Sequence, residues 1–294
     1  MTPELEDLIA RARAADGSPP FSDGALVQLA NGERELIWEV DEAGRRVAAA
    51  LDSPTAAEFV VDPDARGLGH GARMLDMLTH PSRGGAGGTK LFWAHGDHPG
   101  SRALARHHKL EAVRTLLHLR APVPPVLPKR RSSGSDSAES AGRAAGASGI
   151  SVISEVDWFT AADADEWLAL NARIFADHPE QGSITRSDLE VTMAEPWFDA
   201  GDFLLLKRDG VLVGYVWLKI EQGGGEFYVV GVDPTHQGEG LGRQLMNAGF
   251  ARLEARGIHS AHLYVEAGNA PALRLYREFG FTDSSVDVQY HYTR

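Results

Sequence analysis

The chain has 294 residues, 43% of them apolar, which is enough for two domains of ordinary size and argues against general disorder. Its 29 basic and 41 acidic residues leave a net charge of −12, which argues against bulk attraction to nucleic acid or an anionic membrane but leaves room for a local phosphate pocket. There is no cysteine, so disulfides, thiolate metal sites and a cysteine nucleophile are excluded. No apolar run approaches ~18 residues and no basic-then-apolar leader is present, so a cytoplasmic protein is expected.

A first helix is expected from Pro3, with Thr2 as cap and Leu5, Leu8 and Ile9 on one face. A hairpin follows, Leu36–Val40 and Val47–Leu51 about a turn at Ala43-Gly44. The apolar run Phe59-Val60-Val61-Asp62-Pro63 reads as a strand and leads into Arg66-Gly67-Leu68-Gly69-His70-Gly71. From 122 to 149 the composition turns to Pro, Ser, Gly and Ala and reads as a flexible linker, its triplet Lys129-Arg130-Arg131 a solvated charge. The order then repeats. Thr160-x-x-Asp163 resembles a capping box ahead of Trp167, Leu168, Ile174 and Phe175. Phe203–Lys207 and Val211–Ile220 form a hairpin about Asp209-Gly210. Val229-Val230-Gly231-Val232-Asp233-Pro234 leads into Gln237-Gly238-Glu239-Gly240-Leu241-Gly242 and a helix that Gly257 stops near Arg256. A strand Ala261–Ala267, a helix Asn269–Phe279 ended by Gly280, and a last strand pair from Phe281 complete the chain. The division is 1–121, a linker at 122–149, and 150–294. The class is mixed α/β.

The two glycine turns lie 171 residues apart, from Arg66 to Gln237, and the same shift pairs Trp93 with Tyr264 and Leu104 with Leu275. A strand that enters a helix through such a turn points several free backbone N–H groups at one spot, and the helix dipole adds partial positive charge there. Gly240 and Gly242 let backbone approach a bulky anion with no Cβ in the way. This is chemistry for a pyrophosphate, though many such turns are only tight helix entries. The spacing fits neither a dinucleotide fingerprint nor a P-loop.

The second half also carries Asn269-Ala270-Pro271-Ala272-Leu273-Arg274-Leu275-Tyr276-x-x-x-Gly280-Phe281. With the Gln237 turn, this closely resembles the GCN5-related N-acetyltransferases (GNAT) over most of 151–294. The first half resembles them more weakly, through the Arg66 turn and the order of elements. The resemblance implies two tandem GNAT-like domains, each a mixed, largely antiparallel twisted sheet flanked by helices. It implies acetyl-CoA as co-substrate, held by Val230, Gly231 and Val232, by the turn Gln237, Gly238, Glu239, Gly240, Leu241, Gly242 and Arg243, and by Asn269, Ala270, Pro271, Ala272, Leu273 and Arg274 on the next helix. The corresponding contacts in the first half are Phe59, Val60, Val61, Arg66, Gly67, Leu68, Gly69, His70 and Gly71. His178-Pro179-Glu180-Gln181-Gly182, Trp217-Leu218-Lys219 and Glu226-x-Tyr228 further resemble tandem members that acetylate the cysteinyl amine of cysteinyl-glucosaminyl-inositol.

Direct acetyl transfer needs a neutral amine, and a carboxylate can take its proton. The resemblance gives Glu226 that role and gives Tyr276 the protonation of the leaving CoA thiolate. The constant shift maps Tyr276 to Ala105, Glu226 to Thr55 and Asn269 to His98, so the first half is expected to bind acetyl-CoA without catalysing. Asp23, Glu180, Lys219 and Tyr264, with Glu226, are the expected acceptor contacts. The histidines crowd between His70 and His118 without paired-ligand spacing, so no metal is expected. The expected partner is a small-molecule amine, with neither nucleic acid nor membrane, and the expected state is a monomer. Two other readings stand beside this one: a tandem acetyltransferase for another small amine or a protein N-terminus, and a non-catalytic acyl-CoA sensor.

Overall fold

The computed structural model describes residues 1–83, 89–125, 154–176, 181–221 and 224–293. In chain order the elements are α1 (Pro3–Asp16), α2 (Asp23–Ala30), β1 (Glu35–Val40), β2 (Arg46–Asp52), β3 (Ala56–Val61), α3 (His70–Leu78), β4 (Thr89–Ala94), α4 (Pro99–His107) and β5 (Glu111–Pro122). They continue with β6 (Ser154–Trp158), α5 (Ala164–Ile174), α6 (Arg186–Met193), β7 (Phe203–Arg208), β8 (Val211–Glu221), β9 (Gly224–Val232), α7 (Leu241–Ala255), β10 (Ser260–Glu266), α8 (Ala270–Glu278) and β11 (Thr282–Thr293). Both hairpins and both glycine-turn helices fall where the sequence places them. α2, α6 and β6 are additions to the expected order. The expected strand pair after Phe281 is instead the single strand β11. Of the expected linker, 126–149 lies outside the described residues, while Pro122 ends β5 and Val123 N–H donates to His259 O at 3.0 Å.

The chain forms two compact units. The first comprises Met1–His118, Val265–Asn269 and Asp283–Arg294; the second comprises Leu119–Tyr264 and Ala270–Thr282.

In the first unit, Pro3 opens α1 and Gly17 closes it at φ 74°, donating to Arg13 O. Leu5, Leu8 and Ala12 recur on the buried face of α1 and pack with Phe21, Ala49, Leu51 and Val60. β1, β2 and β3 are antiparallel neighbours, and β4 runs parallel to β3. β11 lies antiparallel to β4, from Val288 opposite Ala94 to Thr293 opposite Thr89. Tyr290 and Tyr292 of β11 pack on the core of Met74, Leu75 and Phe92.

In the second unit, Thr160 N–H and Oγ1 both donate to Asp163, which starts α5. The sheet runs β10-β9-β8-β7-β6, with β10 parallel to β9 and the rest antiparallel. On the α5 face, Trp167, Phe203, Tyr215 and Trp217 are buried together. Leu241, Leu245, Met246, Phe250 and Leu253 form the buried stripe of α7.

Candidate active site

The geometry of the second unit turns on a fork. β9 and β10 are in register at Gly225↔Ala261 and Glu226↔His262, and beyond Glu226 they no longer pair. Val230, Gly231 and Val232 keep their ladder to β8 on one edge, opposite Val216, Tyr215 and Gly214. Their other edge therefore has no ladder partner in β10, and strand N–H and C=O groups there are open to an extended ligand.

The fork leads to the glycine turn through a braced corner. Asp233 N–H donates to Val213 O at 2.8 Å, and its carboxylate accepts from Thr235 N–H and Oγ1. Arg173 on α5 donates to the same carboxylate at 2.9 Å. Burial pushes the Asp233 carboxyl up, but the Thr235 hydrogen bonds and the Arg173 charge outweigh it and hold the pKa at about 2. Gln237, Gly238, Glu239 and Gly240 are exposed, and Gly240 caps α7 at φ 82°. A Cβ on Gly238 or Gly240 would meet nothing within 4 Å, so the cradle opens on free space. Arg208 donates to Glu239 and Arg243 to Glu278, so both acids are paired. Gly242 has another reason to lack a side chain: its Cβ would stand 3.1 Å from Leu275 of α8. Leu241 is buried in α7. On α8, Ala270, Pro271 and Arg274 are exposed and Ala272 and Leu273 half-buried. Asn269, just before α8, is exposed, donates its N–H to Glu266 O, and falls in the first unit.

Glu226 sits at the crotch of the fork, with His262 Nε2 3.7 Å from its Oε2. Lys219 on β8 is its register partner on the other side, and Lys219 Nζ lies 2.9 Å from Glu221. Tyr264 lies two residues beyond His262 on β10 and is 47% exposed. Tyr276 of α8 is buried beside Phe281, and burial pushes its hydroxyl up to about 12. Glu180 lies outside the described residues. Asp23 is the exposed first residue of α2, in the first unit. His262 is the contact that sequence reasoning missed; its place between buried Ala261 and Leu263 on an alternating strand is the signal that it faces out with Glu226.

The first unit repeats the fork. β3 and β4 pair at Ala56↔Leu91, Ala57↔Phe92 and Glu58↔Trp93 and then separate. The corner recurs as well, with Asp62 N–H on Val47 O and Arg11 of α1 2.7 Å from the Asp62 carboxylate. A Cβ on Gly71 would stand 3.0 Å from Leu104, matching Gly242 and Leu275. A cavity of about 490 Å³ opens here, lined by Phe59, Val60, Val61, Arg66, Gly67, Gly69, His70 and Gly71 among others. Leu68 is exposed outside it. Arg66 is held by Asp16 through two hydrogen bonds of 2.6 and 2.8 Å, and His70 turns its ring to Glu39.

The register corrects the constant shift in one place. Leu91 and His262 correspond, so the counterpart of Glu226 is Ala56, one residue after Thr55. The difference is a β-bulge in β9: Trp217 faces Val229 and Leu218 faces Phe227, leaving Tyr228 extra. Ala56, Leu91 and buried Ala105 thus stand where the second unit has Glu226, His262 and Tyr276. A buried ionisable cluster of the first unit lies elsewhere. His95 bridges Glu58 and Asp287 at 3.1 Å each, and Ser22 donates to Glu58 from N–H and Oγ. Burial alone would push His95 down, yet Asp287 and Glu58 raise it to about 9. Among the described residues no three His, Asp or Glu side chains are grouped as a metal ion would need, and no helix is long and apolar enough to cross a membrane.

The acetyltransferase (GNAT) family model matches residues 167–281. A mycothiol acetyltransferase of Clavibacter michiganensis is 45% identical over 286 residues, covering 95% of this chain and 88% of the relative. The chain belongs to the mycothiol acetyltransferases, within the GNAT family. A second relative of that name, from Thermobispora bispora, is 38% identical and covers 98% of this chain and 95% of its own. The fold agrees. A GCN5-related N-acetyltransferase from Sphaerobacter thermophilus superposes with TM-score 0.70 at 20% identity, covering 99% of this chain and 92% of that one. A tandem GNAT protein from the clavulanic acid biosynthesis pathway gives 0.62 at 16% identity, covering 99% and 94%. Membership of the mycothiol acetyltransferases makes the chain an N-acetyltransferase of tandem GNAT fold.

Proposed function

We propose that the chain transfers the acetyl group of acetyl-CoA directly to the cysteinyl amine of cysteinyl-glucosaminyl-inositol, giving mycothiol and CoA. The observation that carries this reading is the position of Glu226 at the fork of β9 and β10, in the unit that also holds the intact turn and Tyr276. The relatives' names point to mycothiol, and the resemblance carried by His178–Gly182, Trp217–Lys219 and Glu226-x-Tyr228 supplies the cysteinyl acceptor.

In this reading the pantetheine arm lies along the open edge of Val230–Val232, and the pyrophosphate rests on the N–H groups from Gln237 to Arg243, with Arg274 beside it. An α-amino group has a pKa of about 7.7–8.0, so much of it is protonated near neutrality. Glu226 takes that proton, directly or through one water, and frees the lone pair for attack on the thioester carbonyl. A backbone N–H near Val230 polarises the carbonyl oxygen. As the C–S bond breaks, Tyr276 gives its proton to the thiolate; burial keeps that proton in place at neutral pH. Lys219 and Tyr264 contact the glycoside. The first unit holds a second acetyl-CoA in its cavity but lacks base and acid, so it does not turn over.

The test is CoA release by the purified protein with acetyl-CoA and cysteinyl-glucosaminyl-inositol, against simple amines, an aminoglycoside and N-terminal peptides. Selective turnover of the glycoside supports the reading. Turnover of another amine alone keeps the transferase and discards the acceptor. Binding of acetyl-CoA with no turnover leaves an acyl-CoA sensor.

A further inference from the structure

The bulge in β9 does more than offset the repeat. A strand alternates faces, so Glu226 and Tyr228 project to the same side. Because the extra residue opposes Trp217 together with Val229, Tyr228 stays on the α5 face, in the row that holds Trp217 and Lys219 of β8. The segment after α6 brings Trp197 to this row. Its ring lies 5.4 Å from Tyr228 and 5.9 Å from Trp217, and Lys219 Nζ stands 5.3 Å from its centroid. Tyr228 and Trp217 meet edge to face at 5.6 Å. Trp217 is the buried base of this wall, whereas Trp197 is half-buried and Tyr228 is 42% exposed.

An isolated exposed aromatic residue needs no explanation. Here two are in contact, braced from below, and stand beside the candidate base and a lysine. Small-molecule sites combine such aromatic walls with a few placed polar groups. A pyranose ring has a matching face: its axial C–H bonds carry partial positive charge and pack on the negative face of an aromatic ring, while its hydroxyls point outward. The first unit serves as an internal control. Its β2–β3 ladder runs from Asp52↔Ala57 to Ala48↔Val61 without a shift, so it has no bulge residue, and Leu51 stands across from Glu58 where the second unit has Trp217 across from Val229.

We infer that Trp197 and Tyr228 form the sugar-binding wall of the acceptor site, taking the C–H face of the acceptor's pyranose ring while Lys219 meets its hydroxyls. The inference rests on the glycoside reading above.

The test uses the full chain and two acceptors, cysteinyl-glucosaminyl-inositol and cysteinamide, which keeps the amine and lacks the sugar. Tyr228→Ala and Trp197→Ala are expected to raise KM for the glycoside by about tenfold or more with kcat within about twofold, and to leave kcat/KM for cysteinamide unchanged. Tyr228→Phe and Trp197→Phe, which keep a ring, are expected to restore most of the glycoside KM. Trp197 also packs on Trp217, so Tyr228→Ala, at a more exposed position, carries the test if Trp197→Ala does not fold. Equal losses on both acceptors would make the wall structural and overturn the inference, as would an unchanged KM in folded Tyr228→Ala. Wild-type protein that acetylates cysteinamide and ignores the glycoside would overturn the functional reading, and this inference with it.

Discussion

Nε2 of His262 lies 3.7 Å from Oε2 of Glu226 at the last register pair before β9 and β10 part. The carboxylate is thus positioned by the two strands that frame the proposed thioester site. Glu226→Gln keeps its shape and removes its basicity. We expect kcat to fall by about 10²-fold near neutral pH. The acetyl-CoA KM should be unchanged, and the deficit should shrink as pH passes the amine pKa of about 7.7–8.0. A rate equal to wild type at every pH would take Glu226 out of the base role.

In the proposed mechanism Tyr276 protonates the leaving thiolate. Its pKa of about 12 keeps the hydroxyl protonated through the working range, so it should contribute no limb to the pH profile near neutrality. Tyr276→Phe should lower kcat by about 10²-fold while the melting temperature moves little, since the buried ring beside Phe281 is kept. Wild-type rates in single-turnover assays of thiolate release would show that the hydroxyl is idle.

Gly240 faces open space at φ 82°, a conformation that opposes any side chain. Gly240→Val should strain the cap of α7 and crowd the cradle, weakening acetyl-CoA by about tenfold or more when one charge-assisted contact is lost. Calorimetric titration of the folded variant checks this, and undiminished CoA affinity would contradict the placement of the pyrophosphate.

The His95 cluster predicts an alkaline loss of stability in the first unit. In the folded chain His95 holds its proton up to about pH 9, whereas the unfolded residue releases it near 6.5. Between those values the folded state binds the extra proton, so stability falls as pH rises through the window. The contribution is complete below 6.5 and gone above 9. Urea midpoints measured from pH 6 to 10 should show this decline, and Asp287→Asn should flatten it. An equally steep decline in that variant would place its source elsewhere.

Elements whose signals are local were legible in the sequence. Asp-Pro followed by Gly-x-Gly announces strand, corner and helix, because each residue type serves its own backbone step. The hairpins at Ala43-Gly44 and Asp209-Gly210 are equally self-contained. What escaped depends on distant partners. A constant shift between repeats cannot reveal a bulge, so it pairs Glu226 with Thr55 where the strand register pairs it with Ala56. His95 and Asp287 are 192 residues apart, and nothing near either announces the other. The alternation around His262 was readable, but its pairing with Glu226 needed the register.

The last strand has a consequence for how the molecule comes to be. β11 fills a place beside β4 in the first unit, and its Tyr290 and Tyr292 complete that unit's core. Domains ordinarily fold in order as the ribosome delivers them. Here the edge of β4 stays bare until Thr282–Thr293, which follow the whole second-half sheet in the sequence, have been made. A nascent chain stalled anywhere before Thr282 therefore presents an unfinished first-unit sheet, with the edge of β4 bare, to whatever chaperone is nearby.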